Sequence, residues 1–128
     1  MQSDILRAYP DAPFQVYVVW MPILARDSRG RWDPGLVDDR RATHFWDVDA
    51  RFGRWLKGFP PYRDHPDSIA WDVFGLYGPD AVWPDIAPPS GLLAHGWTVT
   101  GDRRTLFLAI EPLIRGPWRR VALPFAAR

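Results

Sequence analysis

His44 and Asp47 stand three residues apart, and His65 and Asp67 stand two apart. Imidazole and carboxylate at such short spacing are ligand types for zinc or iron. Neither H-x-x-D nor H-x-D supplies a third ligand. A capping role for Asp47 and a solvated role for His65, beside Pro66, account for both pairs without a metal. No metal site and no cofactor is assigned.

Asp72 raises a different question. In residues 69–77 (IAWDVFGLY) a strand-like alternation places Ala70, Asp72, Phe74 and Leu76 on one face. A carboxylate among apolar neighbours must be paired, protonated or near an opening. It reads either as a general acid or base with a perturbed pKa or as the structural partner of an arginine or a backbone donor. An enzyme built from these residues would use Asp72 or Asp47 as acid and base with His44 nearby. It needs the three side chains to converge in one pocket. No serine or lysine nucleophile motif accompanies them, and spacing alone builds no triad. Gly30 and Gly35 are isolated turn glycines rather than a phosphate loop.

Aromatic side chains are the other chemical resource. Eight tryptophans occur in 128 residues. Trp20, Trp46, Trp71 and Trp83 fall at or within expected elements, and Trp32, Trp97 and Trp118 in looser segments. Such rings bind sugars, peptides and cations or anchor interfaces, and they also simply fill cores. Trp20, Met21 and Pro22 close the most apolar run of the first half of the chain, residues 14–24 (FQVYVVWMPIL). Together with Trp46 they are the candidate ligand- or partner-binding residues. The segment around Trp118, Arg119 and Arg120 combines an aromatic with positive charge, which suits a partner contact or packing along the domain.

Composition bounds the rest. The length fits one domain with a single core. The formal net charge of +1 lacks the basic surplus of a nucleic-acid binder, and no nucleic-acid partner is expected. Arginine greatly outnumbers Lys57, the single lysine, as GC-rich codon usage produces. The absence of cysteine removes disulfides, thiolate chemistry and cysteine-built zinc sites. The first residues lack a basic region followed by an apolar one, so no signal peptide is read. No apolar run reaches the roughly 18 residues of a membrane span. The expectation is a cytoplasmic protein without a membrane partner.

The elements that must position these residues follow from pattern. Residues 1–13 read as an irregular arm with Pro10 and Pro13, residues 14–114 as the core, and residues 115–128 as a tail. Residues 14–20 are β-branched and aromatic and read as a strand, apolar on both faces apart from Gln15, as a central strand would be. Asp33 and Pro34 form a helix start, predicting a short helix to about Arg41. Residues 43–46 predict a short strand. Val48, Phe52, Trp55 and Leu56 recur at helical spacing behind Asp47, and Gly58, Pro60 and Pro61 stop that helix. Residues 69–77 predict a second long strand, with residues 81–83 as its hairpin partner. Residues 90–100 fit either two short strands or an extended loop. Asp102 can cap a last helix carrying Leu106, Ile110 and Leu113, against which Pro112 counts.

The resulting order, β-α-β-α-β-β-α, implies a parallel central pair with an antiparallel hairpin beside it in one mixed sheet flanked by helices. This α/β order resembles the thioredoxin-like fold. Three stretches, VYVVWMPIL, THFWDVDARFGRW and AWDVFGLYGPDAVW, resemble an uncharacterised bacterial family of cysteine-free thioredoxin-like proteins. They cover roughly residues 14–83, and the strand-turn-strand of the third is the most specific. The resemblance implies a fold and no established activity. In thioredoxins the loop after the first core strand carries the redox cysteines; here it holds Trp20, Met21 and Pro22, without thiols. A proline facing that loop, normally cis, has Pro66 as its nearest counterpart. The expected function is a non-redox domain that acts by binding another protein or a second copy of itself. The alternatives are the histidine–aspartate enzyme and an aromatic-lined small-ligand or carbohydrate module.

Overall fold

The computed structural model of the chain describes residues 5–98 and 101–116. Strand β1, Val16–Trp20, pairs in parallel with β2, Ala42–Trp46, in the register Val16 to Ala42 through Trp20 to Trp46. The crossover between them carries 3-10 turns at Arg29–Arg31 and Pro34–Val37. Asp33 does accept a bond from the Gly35 N–H, at 2.9 Å. The predicted helix nevertheless ends after a single turn, because Asp38 and Asp39 lead into a fold-back rather than a second turn. Asp39 Oδ1 accepts the Arg41 N–H at 2.9 Å, so the backbone there serves a side chain.

Helix α1, Arg51–Leu56, is short and amphipathic, with Gly53 and Leu56 buried. The N-cap residue is Ala50 rather than Asp47, because the helix starts later than expected; the Asp47 carboxylate still reaches the first turn and accepts the Phe52 N–H at 2.7 Å. A 3-10 turn at Tyr62–Asp64 follows the one cis peptide bond among the described residues, Pro60–Pro61. The expected cis position before Pro66 is therefore not used. Strand β3, Phe74–Tyr77, pairs antiparallel with β4, Leu92–Gly96, with an irregularity between Leu76 and Tyr77. Residues 81–83 lie in the connecting loop and form no strand, and the ambiguous segment 90–100 supplies the true partner of β3. Residues 99 and 100 are outside the described part. Helix α2, Arg103–Arg115, continues through Pro112.

The sheet arrangement overturns the thioredoxin-like expectation. The four strands form two separate two-stranded sheets, β1–β2 and β3–β4, and no mixed central sheet joins them. The reason lies just before β3. Asp72 has φ +51, in the left-handed region, so the chain cannot run extended from Ile69. The Ala70 N–H bonds the carbonyl of Gly53 in α1 at 3.1 Å. The Trp71 carbonyl is taken by the His65 ring at 3.1 Å. Backbone groups that would have paired with β1 are committed to a helix and an imidazole, and the strand begins only at Phe74. Residues 14–24 are thus not a central strand: Tyr17 within β1 is 66% exposed.

Two small cores hold the elements. Leu56, Tyr62 and Ala70 are buried together under Phe52, Trp55 and Val73. Ile5, Leu106 and Ile110 form the other, with Phe14, Phe74, Leu76, Phe107 and Ile114 packed against it. Each such aliphatic side chain contributes roughly 2 kcal/mol on burial. The segment expected as an irregular arm thus puts Ile5, Leu6 and Ala12 into the interior. Arg41 fixes them: its guanidinium donates to the carbonyls of Leu6 at 2.8 Å, Tyr9 at 2.7 Å and Ala12 at 3.2 Å. It also pairs with Asp39 and lies 4.5 Å over the Phe14 ring. No helix among the described residues is long and apolar enough to cross a membrane.

Candidate functional site

The site expected at the end of β1 packs closed. Residues paired side by side in the parallel register share a face, so Trp20, His44 and Trp46 point the same way. Trp32, from the 3-10 crossover, covers them: its ring lies 5.9 Å from Trp20, 6.0 Å from His44 and 6.3 Å from Trp46. Its indole N–H is buried without a partner. The Trp20 Nε1–H donates to His44 Nδ1 at 2.9 Å, and His44 Nε2 meets the Val37 carbonyl at 3.0 Å. Nδ1 must then hold a lone pair and Nε2 the proton, which fixes the neutral Nε2–H tautomer. Both nitrogens are used by the fold, so His44 offers neither a metal lone pair nor a free base. Met21 packs against Gly53, and the Asp47 carboxylate accepts the Phe52 N–H of α1. No group of three or more His, Asp or Glu among the described residues could hold a metal.

The opposite face of the same sheet is open. Tyr17 and Phe45, with ring centroids 6.4 Å apart, are 66% and 49% exposed. A third aromatic group, Phe52, Trp55, Phe59, Trp83 and Tyr77, packs ring on ring beside α1.

A cleft of about 210 Å³ opens elsewhere, between the 65–72 segment and the end of β4, lined by His65, Pro66, Asp67, Trp71, Asp72, Trp97 and Thr98. The 65–72 side is built from its own polar groups. His65 is buried, and its Nδ1 accepts the Asp67 N–H at 3.2 Å while Nε2 meets the Trp71 carbonyl at 3.1 Å. The same logic assigns the neutral Nε2–H tautomer. Trp71 Nε1–H donates to Asp67 Oδ2 at 2.6 Å, which sets the indole against a carboxylate. Lys57 Nζ donates to the carbonyls of Arg63 and His65.

The other wall follows from Gly96. A Cβ there would strike the Phe74 ring and the Asp102 side chain, so the backbone passes close to both. Asp102 is the N-cap residue of α2, but its carboxylate bonds no helix N–H and instead accepts the Trp97 N–H at 2.9 Å. This anchors Trp97, whose ring lies 5.7 Å from His65 at 58°. Thr98 closes the rim through its hydroxyl, which accepts the Gly101 N–H at 2.7 Å.

Asp72 is thus placed at the cleft, but not as its sequence position implies. It is exposed, in a left-handed turn, rather than on an apolar strand face. His44 and Asp47 do not line the cleft. Of the three residues of the expected enzyme, this cleft takes in Asp72, while His44 and Asp47 are bonded elsewhere in the fold. Pattern reading set His65 and Asp67 aside as a metal pair and missed their union with Trp71 and Trp97. The four-residue spacing from Asp67 to Trp71 was the local signal, whereas Trp97 arrives only through the pairing of β4 with β3. Comparisons with family models, with curated proteins and with solved structures returned no match to this chain.

Proposed function

We propose that this chain is a binding domain whose cleft between Trp71 and Trp97 takes a small ligand with an apolar face. The observation that carries the reading is the pairing of two indoles with a buried, fully hydrogen-bonded imidazole around one cleft of about 210 Å³. Concave sites with aromatic walls and a few fixed polar groups are the usual form of small-ligand sites. The imidazole positions the walls and donates nothing to chemistry, since both its nitrogens are bonded within the loop. Binding, not turnover, is what this arrangement does.

The test is a two-dimensional NMR titration of the 15N-labelled chain with a panel of small ring compounds, sugars and alkylamines. Binding moves the Trp71 indole N–H resonance, and Trp71→Ala or Trp97→Ala removes the effect on the remaining cleft residues. A panel that leaves the resonances of residues 65–72 and Trp97 unmoved at millimolar concentration ends the proposal.

A further inference from the structure

We propose that His65 is a proton switch for the cleft: a proton taken up at Nδ1 breaks the bond from the Asp67 N–H and frees the Trp71 indole that Asp67 holds. The inference names a regulation of the same cleft and rests on the reading of that cleft as a ligand site. One residue makes the connection. The Asp67 backbone N–H donates to His65 Nδ1 at 3.2 Å, and the Asp67 carboxylate accepts the Trp71 indole N–H at 2.6 Å. His65, Asp67 and Trp71 all line the cleft. Whatever displaces Asp67 therefore displaces the acceptor of the Trp71 side chain.

Imidazole is the side chain that changes charge near neutral pH. In the neutral Nε2–H form, Nδ1 offers its lone pair to the Asp67 N–H. In the imidazolium both nitrogens are donors. The Asp67 N–H then faces a second N–H across a hydrogen-bond distance, and neither has its acceptor. His65 is only 6% exposed, so the new Nδ1–H has little access to water where it stands. The bond on the other side of the ring is indifferent to the change. Nε2–H donates to the Trp71 carbonyl, 3.1 Å away, in both forms. The Trp71 backbone is thus retained while its side chain loses its fixed acceptor. The ordered cleft belongs to the neutral imidazole and is lost as pH falls.

The charged groups around the ring act in both directions. Lys57 Nζ donates to the His65 carbonyl, and its charge opposes a second positive charge on the imidazole. Asp67 and Asp72 on the same segment favour that charge, and Asp64, next in the chain, adds to them. Asp102 acts in the same sense from the other wall, where its carboxylate accepts the N–H of Trp97, whose ring lies 5.7 Å from His65. Their balance leaves the direction of the switch unchanged, because the clash of donors arrives with the proton.

The experiment follows the ligand-free, 15N-labelled full chain by two-dimensional NMR from about pH 7.5 to about pH 5, the span in which imidazoles change charge. The His65 ring nitrogens, the Asp67 amide and the Trp71 indole N–H are read together. At the upper end the ring nitrogens should report the Nε2–H tautomer. As His65 takes its proton, the Asp67 amide and the Trp71 indole N–H should both move upfield with the midpoint of the ring nitrogens. His65→Asn does not titrate and keeps a side-chain oxygen for the N–H two residues on; it should abolish both movements. Asp67→Asn keeps an oxygen for the indole N–H and removes the carboxylate. There both movements should persist, which separates them from a titration of Asp67 itself.

Amide dispersion reports that each variant is folded, and if His65→Asn is not, the midpoints in the unaltered chain decide. A Trp71 indole that stays in place while the Asp67 amide moves overturns the switch. So do movements that survive His65→Asn, that vanish in Asp67→Asn, or whose midpoint differs from that of the His65 ring. A His65 ring that stays neutral to the lower end overturns it too. Since no ligand is added, each of these outcomes leaves the reading of the cleft to its own titration panel.

Discussion

The indole N–H of Trp20 points at Nδ1 of His44 across the parallel strand pair, 2.9 Å away. This single bond sets the imidazole's tautomer and aims its other nitrogen at the Val37 carbonyl. Trp20→Phe keeps an aromatic ring under Trp32 and removes the donor. The variant should lose about 1–2 kcal/mol, the cost of an unmet partly buried acceptor. Urea denaturation checks it, and a loss below a few tenths would mean the bond holds nothing.

Arg41 is the most heavily committed side chain of the fold. Replacing it with Gln deletes the ion pair with Asp39 and most of the grip on the carbonyls of Leu6, Tyr9 and Ala12. A loss of about 3 kcal/mol is expected. Hydrogen exchange adds a local readout: amides of residues 5–14 should lose protection before those of β3 and β4 do.

The same pair predicts an acid limb. The hydrogen bond from the Arg41 side chain, then that from its backbone N–H, hold the Asp39 carboxyl well below its ordinary value of 3.8. A depressed carboxylate stabilises the fold fully above its unfolded value and loses that contribution as pH falls toward its folded one. The urea midpoint should therefore decline below about pH 4. Asp39→Asn should flatten that decline while lowering the midpoint at neutral pH. An unchanged acid limb in the variant would assign the decline to other carboxylates.

Tyr62 predicts the opposite limb. Burial first, and the neighbouring Tyr77 phenol second, push its hydroxyl above the ordinary value of 10.0. A raised phenol stabilises the fold below its unfolded value, and the contribution is lost as pH rises through the folded one. Stability should fall above about pH 10. Tyr62→Phe should make that fall shallower, with Tyr77, also raised by burial, accounting for what remains. A spectroscopic phenol titration followed alongside unfolding separates the two.

Gly75 in β3 has no room for a methyl group, because a Cβ would run into the Tyr62 hydroxyl and close on the Tyr77 ring. Tyr62 is itself buried and donates to the Phe74 carbonyl at 3.2 Å, so it cannot swing aside freely. Gly75→Ala should cost about 1–3 kcal/mol, the range for overpacking. Adding Tyr62→Phe should recover part of that loss. Full additivity of the two changes would show that the clash lies elsewhere.

How much of this was legible follows the range of the interactions. β1 was readable because valine, tyrosine and tryptophan cluster there and β2 because threonine, phenylalanine and tryptophan do, and their parallel pairing follows from a long crossover. The amphipathic spacing of Phe52, Trp55 and Leu56 located α1, and the Leu106 and Ile110 stripe located α2 despite Pro112. What failed depended on single side chains spending backbone groups. Nothing in IAWDVFGLY announces that Asp72 turns left-handed or that His65 claims the Trp71 carbonyl. Those two facts separate β3 from β1, and with them goes the thioredoxin-like sheet. The cleft was half visible: His65, Asp67 and Trp71 lie within one short segment, whereas Trp97 depends on a strand pairing that local turn chemistry misassigned to residues 81–83.

The burial of Ile5 against Leu106 and Ile110 sets an order of events during synthesis. Phe14 of the same cluster is made soon after Ile5, yet Leu106 and Ile110 are made about a hundred residues later. The Arg41 guanidinium, 35 residues from Leu6, is made long before α2 and can already bond the carbonyls of that segment. The growing chain can thus hold the carbonyls of Leu6, Tyr9 and Ala12 on one arginine before α2 is delivered to complete the cluster around Ile5.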